Sequence, residues 1–506
     1  MHTIKQNKLL IAFFFLAIFV RFLFFPGNTH FAFDQARDAY ASQEILKGDL
    51  KLIGPSSTFL PGLRHGVLFY YIAAPVYLIS AGNPEGLSIF LRIANALGVF
   101  GIFFLSLYLF NKKTALISAF IFAISFEQTQ YALFLGHPPL AIIPLLLFYY
   151  GLAIYFIKKN IVGMILTAIG LGIAIQFHIG LAFLLPLPFL LLAIFYKDLP
   201  KTTLKIIVIS IITFLLSIST FILEAIKNNF RVYKNISGET FSDGGITTLM
   251  NKIEGLDFTI NRFFNDNFFY QPLPLLTLVI VPVMFLIGLK FKQHRKSMIF
   301  LIVWFLYGLI PYALRSSVIY YYSIGTSISL IILVAFLLSN LKNKMISLLI
   351  IVLAFITISN GYLIIKNNPL GPIIAITSQN GMLLKDQKAL IDYTYQKANF
   401  QPFAMNSLSV PFHVNTTWSY VYNYYGLQKY GYLPVWGGDH AAGFYTNLEV
   451  NTNRSSLPYT RFLIIEQTQG LRKDQIDKFI EEEYIFTEKV EEKRFGLLEL
   501  HSQKAK

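Results

Sequence analysis

The sequence contains no cysteine, and only 14% of its 506 residues are charged. Without cysteine the chain has no disulfide framework, no thiol nucleophile and no zinc site with sulfur ligands. In addition, 55% of the residues are hydrophobic and the mean hydropathy is +0.56. A soluble protein of this length could not bury so many hydrophobic residues and cover its surface with so few charged ones. The composition therefore predicts that the bilayer surrounds most of the chain.

Apolar runs follow one another along the sequence. A membrane-spanning helix needs about 20 mostly apolar residues. Suitable runs lie at 8–25, 87–110, 114–134, 138–157, 161–179, 180–196, 205–224, 273–289, 297–314, 318–339 and 345–365. After the first run stand Phe24, Phe25 and Pro26 instead of a small-residue cleavage site, so we interpret it as an uncleaved helix. The pattern predicts an α-helical polytopic membrane protein with about eleven transmembrane helices.

Lysine clusters stand at every second junction between these runs. They are Lys112-Lys113, Lys158-Lys159, Lys197 with Lys201 and Lys205, the stretch from Lys290 to Lys296, and Lys342 with Lys344. Because cytoplasmic loops are rich in lysine and arginine, the clusters predict a multi-pass plasma-membrane protein with a cytoplasmic N-terminus. They also account for most of the net charge of +15, so we expect no nucleic-acid partner. The loops 26–86, 127–138 and 225–272 and the tail are then extracytoplasmic.

Two segments outside the long runs have structure of their own. The stretch from His65 to Ser80 is short, contains Pro75 and has no lysine cluster behind it. Counting it as a span would put the later lysines outside, so we expect a juxtamembrane helix at the outer interface. In the tail, a strand pattern begins at Arg461, a helical pattern at Lys473 and a pair of strands at Phe486. We therefore divide the chain into a transmembrane domain, 1–366, and a small extracytoplasmic α/β domain, 367–506.

Ionisable side chains lie near the outer ends of the predicted spans, where burial is costly unless a partner or water is present. A carboxylate so close to the membrane surface suits a general base, and arginine suits phosphate oxygens. The candidates are Asp34 as base, and Arg37, Arg64, His65, Arg92, His137 and Arg315 as binding residues, with His178 and Glu224 nearby. Simpler interpretations are a helix-capping Asp34 paired with Arg37, arginines that reach the lipid headgroups, and histidines with a structural role. Their gathering on one face predicts an outward-facing polar cavity.

Several motifs are missing from the sequence. It has no HExxH or DxD spacing for a metal and no GxxxxGK[ST] loop for a phosphate. Gly163, Gly170 and Gly172 are therefore interpreted as sites of close helix packing. No metal site is predicted.

The pattern of these residues resembles a known family. Asp34 is followed three residues later by Arg37, then by a helix through Glu44 and a Gly48-Asp49 turn. Arg64-His65 precedes the juxtamembrane helix, and LRIANALG with Arg92 opens the next span. In these features about residues 1 to 340 resemble the polyprenyl-phosphate-sugar-dependent glycosyltransferases of the C-type fold. In particular, they resemble the bacterial protein O-mannosyltransferase and lipid A aminoarabinose transferase group.

The resemblance implies a C-type transmembrane architecture and an inverting transfer of a sugar to a protein, lipid or glycan acceptor. It implies that Asp34 deprotonates the acceptor and that Arg37 and Arg64 bind the lipid-linked phosphate. The expected partners are the bilayer, a polyprenyl-phosphate sugar as donor substrate and an acceptor that the sequence does not identify. The chain departs from many members in carrying Gln35 beside the first Asp, and Glu127 and His137 in the second loop. The sequence therefore contains no motif that supports the binding of a divalent cation.

Two alternatives belong to other classes of protein. A transporter or flippase of lipid-linked sugars would also place polar groups near the membrane, although such proteins commonly show repeated halves and helices broken at the midplane. An O-antigen-type ligase or polymerase would share the chemistry but use a lipid diphosphate donor. The Asp-x-x-Arg pattern of the first loop favours the glycosyltransferase.

Overall fold

The computed structural model describes residues 2–57, 63–230, 248–314, 320–373, 379–469 and 471–506. Helices dominate these ranges, and strands are confined to the last part of the chain. The α-helices are α1 His2–Phe22, α2 Phe33–Leu46, α3 Leu68–Ile79, α4 Pro84–Leu109, α5 Lys112–Ile124, α6 Phe126–Leu133, α7 Ile142–Phe156, α8 Val162–Phe177, α9 Leu187–Ile194, α10 Leu204–Ser217, α11 Ser219–Lys227, α12 Leu249–Asn265, α13 Thr277–Leu289, α14 Arg295–Gly308, α15 Ile310–Leu314, α16 Thr326–Ser339, α17 Ile346–Asn367, α18 Leu384–Lys397, α19 Thr416–Val421, α20 Leu427–Tyr430 and α21 Lys473–Phe486.

Each predicted apolar run contains helix, but the number of eleven spans is not confirmed. Among the described residues, four helical stretches are long and apolar enough to cross a membrane: Pro84–Leu109, Pro138–Phe156, Lys292–Tyr312 and Asn343–Leu370. The pair α10 and α11 passes the same test together but is bent by 63°. The predicted span 114–134 is broken at Ser125, whose side chain caps α6 by accepting from the Gln128 N–H at 3.2 Å. The stretch His65 to Ser80 contains the separate short helix α3.

Close contacts hold the α7–α8 hairpin together. A Cβ atom on Gly163 would lie 2.4 Å from the Gly151 carbonyl oxygen, and one on Gly170 would lie 2.4 Å from the Phe148 nitrogen. On the other side of α8, a Cβ on Gly172 would meet the Ser217 side chain of α10 at 2.4 Å. These distances leave no room for a side chain. The prediction that these glycines serve close helix packing is confirmed.

The last part of the chain, residues 379–506, is called the C-terminal segment below. It contains a five-stranded sheet of β1 Ala404–Leu408, β2 Val435–Trp436, β3 Thr460–Ile465, β4 Thr487–Phe495 and β5 Leu498–Ala505, in the order β2-β1-β3-β5-β4. β1 is parallel to β2 and β3, whereas β5 is antiparallel to β3 and β4. The strand predicted from Arg461, the helix predicted from Lys473 and the paired strands predicted after Phe486 are all confirmed.

The C-terminal segment packs against the first loop of the chain. Leu384 donates its backbone N–H to the Thr29 carbonyl at 2.9 Å, and Phe31 donates to the Met382 carbonyl at 2.8 Å. Tyr40 of α2 is hydrogen-bonded to Ser419 at 2.9 Å. These contacts join regions more than 350 positions apart and fix α2 between the apolar helix α3 and the C-terminal segment.

Candidate functional site

Three charged side chains of α2 lie on one face of the helix. Their positions, 34, 37 and 38, are three and four residues apart, which is the spacing of neighbours on an α-helix. Arg37 donates from Nη1 to Asp34 Oδ1 at 2.6 Å and from Nε and Nη2 to Asp38 Oδ1 at 2.9 and 2.8 Å. A planar guanidinium presents its N–H groups in a fixed fork, so one arginine can hold two carboxylates in a defined geometry. Arg37 therefore fixes both acidic groups.

The two carboxylates differ in their access to solvent. The side chain of Asp38 is 4% exposed and that of Asp34 is 30% exposed. Asp38 also accepts a hydrogen bond from Tyr70 of α3 at 3.1 Å. Burial alone would raise the pKa of Asp38, but the charge of Arg37 and the nearby His137 outweigh it and lower that pKa. Asp38 is thus ionised and buried and holds Arg37 in place, whereas Asp34 is the carboxylate that solvent reaches.

Histidines from separate segments meet beside this pair. The ring of His65 lies 4.3 Å from the ring of His137 and 4.9 Å from that of His178, measured between centroids. His137 Nδ1 lies 3.8 Å from Asp38 Oδ2. Burial, followed by the neighbouring histidines and Arg37, lowers the pKa of His65 well below its ordinary value. Its ring is therefore neutral near pH 7. Because Nδ1 accepts the Ile179 N–H at 3.3 Å, the proton of this neutral ring is on Nε2.

Arg37 lies between two cavities. A narrow one, of about 60 Å³, is lined by Asp34, Asp38, His65 and His137. A wider one, of about 610 Å³, lies on the other side and is lined by Arg64 and Glu224 among others. Arg37 and Pro55 belong to both. The candidate active site is therefore a small polar recess that opens beside a larger chamber.

The structure brings together Asp34, Arg37, Arg64, His65 and His137 of the predicted site residues. It also gathers His178 and Glu224 around them. Arg315 lies outside the described residues.

Arg92 is placed elsewhere. Its side chain is fully buried, donating to Asn28 Oδ1 at 2.9 Å, to Ser88 Oγ at 3.0 Å and to the Arg21 carbonyl. These bonds fasten α4 to the end of α1, which explains a buried arginine without a ligand. Because protein groups already engage its guanidinium, we leave Arg92 out of the proposed site.

Glu127 also belongs to a different environment. It is buried and accepts from Asn267 at 3.0 Å and from Ser327. Among the described residues, the group whose ligand atoms are close enough to hold a metal ion is Glu492, Glu499 and His501, on the sheet and apart from the polar recess. His501 Nε2 and Glu499 Oε1 in that group are already 2.6 Å apart and hydrogen-bonded.

Asp38 and Tyr70 are site residues that the sequence did not single out. Asp38 stands next to Arg37, so adjacency to the arginine was a signal. No sequence signal identified Tyr70, because its partner lies in another segment of the chain and its own segment has the pattern of an apolar helix.

Comparisons with known proteins bear on the fold. No protein-family model matches the sequence, and neither does any curated protein. Among solved structures, ArnT from Cupriavidus metallidurans in the apo state is similar with a TM-score of 0.63 and 10% identity, over 99% of this chain and 98% of that one. The same enzyme bound to undecaprenyl phosphate gives a TM-score of 0.58 and 10% identity, over 97% of each chain. The Archaeoglobus fulgidus oligosaccharyltransferase gives 0.47 and 12% identity, over 83% of this chain and 64% of that one.

The ArnT similarity extends over nearly the whole chain, including the C-terminal segment. It shows the C-type glycosyltransferase fold that the sequence resemblance implied. The described part of the chain also contains several helices that are long and apolar enough to cross a membrane, as a multi-pass membrane protein requires.

Proposed function

We propose that the chain is a membrane glycosyltransferase that moves a sugar from a polyprenyl-phosphate-linked donor to an acceptor. The observation that carries the proposal is the arrangement of Asp34, Arg37 and Asp38 at the junction of two cavities. A partly exposed carboxylate, fixed by an arginine that a buried second carboxylate holds, is suited to take a proton from a bound hydroxyl or amine. The C-type fold and the undecaprenyl phosphate bound to ArnT support a lipid-linked donor.

Asp34 acts as the general base in this mechanism. The acceptor X–H bond breaks and its proton passes to Asp34, while the X lone pair attacks the anomeric carbon of the donor sugar. The bond from that carbon to the phosphate oxygen breaks with its electron pair, so a single displacement inverts the anomeric centre. Arg37 positions Asp34, because its Nη1 donates to the oxygen that stays fixed and leaves Oδ2 to face the acceptor.

The departing phosphate gains negative charge and needs hydrogen-bond donors. Arg64 is exposed in the wider cavity and supplies a guanidinium, which matches phosphate oxygens in a bidentate way. His65 supplies a neutral Nε2–H. His137 and Arg315 are proposed as further binding residues.

The proposed orientation follows from the lysine clusters. The N-terminus is cytoplasmic, and the polar recess and the C-terminal segment face the extracytoplasmic side of the plasma membrane. A donor sugar then reaches the recess laterally from the outer leaflet. Reporter fusions after residue 367 test this orientation, and a cytoplasmic signal from them would refute it.

The central experiment replaces Asp34 by asparagine and measures donor turnover in native membranes supplied with labelled lipid-linked sugars. Loss of a general base should lower the rate by about 10²- to 10⁴-fold. Asp474→Asn is the matched control, because Asp474 also pairs with an arginine, Arg472, but on the exposed surface of the C-terminal segment. It should leave turnover unchanged. Wild-type turnover in Asp34→Asn would remove Asp34 from the mechanism.

Liposomes with the purified protein distinguish the enzyme from a flippase. A glycosyltransferase cleaves the donor and releases polyprenyl phosphate when membrane extract supplies acceptors. A flippase would move the intact donor to the other leaflet, and that result would contradict the proposal.

A further inference from the structure

The C-terminal segment forms one wall of the wider cavity. Thr416, Gly443, Phe444 and Tyr445 line it together with residues of α2 and of the loop that carries Arg64. The volume of about 610 Å³ lies in the range of small-molecule sites, which is about 300–1,000 Å³. The chamber beside the polar recess is therefore not a product of the membrane helices alone.

The loop that carries Phe444 and Tyr445 is held firmly by its backbone. Thr416 donates its hydroxyl to the Tyr445 carbonyl at 2.8 Å, and His440 Nε2 lies 3.2 Å from the Phe444 carbonyl oxygen. The Tyr445 hydroxyl donates to Glu44 of α2 at 2.9 Å. Gly443 adopts a φ of +87°, a left-handed conformation that favours glycine and turns the chain into the cavity wall. The two aromatic residues are thus fixed before any ligand arrives.

These rings form an aromatic surface with the start of α2. The rings of Phe444 and Phe33 lie 5.7 Å apart, and Tyr445 stacks on Tyr40 at 5.3 Å, between ring centroids. Phe444 is nevertheless 41% exposed, although its backbone is tied down. A rigid loop that leaves a large apolar ring uncovered in a cavity is typical of a ligand contact. The C–H faces of a pyranose ring suit such a surface.

Charged side chains of both signs line the same cavity: Arg37, Lys51, Arg64 and Lys227 on one hand, and Glu44, Asp49 and Glu224 on the other, with Glu224 accepting a hydrogen bond from Asn228. Arg64 and Lys227 both line it and are exposed, and in the described part of the chain neither forms an ion pair. In contrast, Lys51 in this cavity is paired with Glu44 at 2.8 Å, and Arg37 is paired with two carboxylates. Arg64 and Lys227 are free to hold an anion. The lining therefore combines an apolar ring surface with a site for negative charge.

We infer that the C-terminal segment recognises the sugar: Phe444 packs against a pyranose ring of a phosphorylated saccharide whose phosphate is held by Arg64 and Lys227. This inference rests on the proposed function, because it takes the sugar-bearing substrate from it. It gives the C-terminal segment a role in substrate selection. It also places the sugar in the wider cavity, across Arg37 from the recess that Asp34 lines.

The test measures binding of soluble head-group mimics to the full chain in detergent micelles by saturation-transfer difference NMR. The probes are the 1-phosphates of glucose, galactose, mannose and N-acetylglucosamine and their methyl glycosides, with inorganic phosphate followed by phosphorus NMR line broadening because it has no C–H protons. At least one sugar phosphate should show signals from its ring protons. Phe444→Leu should weaken its affinity about tenfold, whereas Phe444→Tyr, which keeps the ring, should stay within about threefold.

Tyr459→Leu is the matched control, because Tyr459 is 66% exposed in the same segment and does not line the cavity. It should leave binding unchanged. Arg64→Gln should weaken the binding of the sugar phosphate but not the binding of the methyl glycoside. Thermal unfolding of each variant shows whether a loss of binding comes from a loss of folding, and Phe444→Tyr keeps the test valid if Phe444→Leu unfolds.

The inference fails if no sugar-ring signal is seen with any probe, if inorganic phosphate alone binds, or if Phe444→Leu binds like the wild type. The proposed function fails separately. Sugar binding that is intact in both wild type and Asp34→Asn, without donor turnover in the wild type, would refute the enzyme but support sugar recognition. Normal donor turnover, together with sugar binding that Phe444→Leu does not affect, would support the enzyme but refute sugar recognition by Phe444.

Discussion

Replacing Glu466 by glutamine should change how the stability of the C-terminal segment depends on pH. Glu466 follows β3 and is 5% exposed. Its carboxylate accepts from the Trp418 indole at 2.9 Å and from the Val410 N–H at 3.1 Å. Burial raises the pKa of Glu466 from 4.5 to about 7, although both hydrogen bonds act in the opposite direction.

The direction of the effect depends on whether the folded or the unfolded chain binds the Glu466 proton more tightly. Below pH 4.5, Glu466 is neutral in both the folded and the unfolded chain. As pH rises toward 7, the unfolded chain releases this proton while the folded chain retains it, so the folded state loses stability. Since a tenfold change in proton affinity corresponds to about 1.4 kcal/mol, the full loss is about 3 kcal/mol, and most of it falls between pH 5 and 8.

The assay is denaturant unfolding of the full chain in micelles, followed by tryptophan emission at pH 5 and pH 8. Trp418 and Trp436 lie in the C-terminal segment, and Trp418 contacts the titrating group itself. Glutamine cannot ionise, so the difference in unfolding free energy between wild type and Glu466→Gln isolates this group from the histidines. Glu481→Gln, an exposed control, should follow the wild type at both pH values. A difference that does not change with pH would refute the reasoning.

Two further predictions concern the site and the helix packing. Asp38→Asn removes the buried partner of Arg37, and breaking a buried ion pair costs about 3–5 kcal/mol, so both the unfolding temperature and the transfer rate should fall. Unchanged values of both would show that Asp34 alone holds Arg37. Gly170→Ala should destabilise the α7–α8 hairpin by about 1–3 kcal/mol, because its Cβ would lie 2.4 Å from the Phe148 nitrogen. Gly361→Ala in α17 is the control, since a Cβ there meets nothing within 4 Å, and thermal unfolding in micelles should show it to be as stable as the wild type.

Much of the fold was predictable, because lipid imposes a simple rule on sequence. The apolar runs all contain helix, and the short stretch around Pro75 forms the separate helix α3. The count of spans is not confirmed, since the continuity of a helix depends on single side chains that its composition does not reveal. Ser125 ends α5 and begins α6 with a cap, inside a run that hydropathy alone makes continuous.

The site was predictable only where its residues share one helix. The i to i+3 spacing of Asp34 and Arg37 predicts their pairing, and the structure has it at 2.6 Å. Spacing does not tell which carboxylate is buried, so the role of Asp38 came from tertiary contacts with Tyr70. The sequence did not distinguish Arg92 from the other arginines predicted near the outer membrane surface. Its hydrogen bonds to Asn28 and Ser88 depend on how α1 packs against α4.

The contact between the first loop and the C-terminal segment has a consequence for biosynthesis. Thr29 and Phe31 are bonded to Leu384 and Met382, and the wall of the wider cavity contains Phe444. During synthesis the N-terminal helices and Asp34 leave the ribosome long before these partners exist. A nascent chain therefore presents Asp34 before the C-terminal segment that encloses the wider cavity has been made. The proposed transfer activity should therefore arise only once translation is nearly complete.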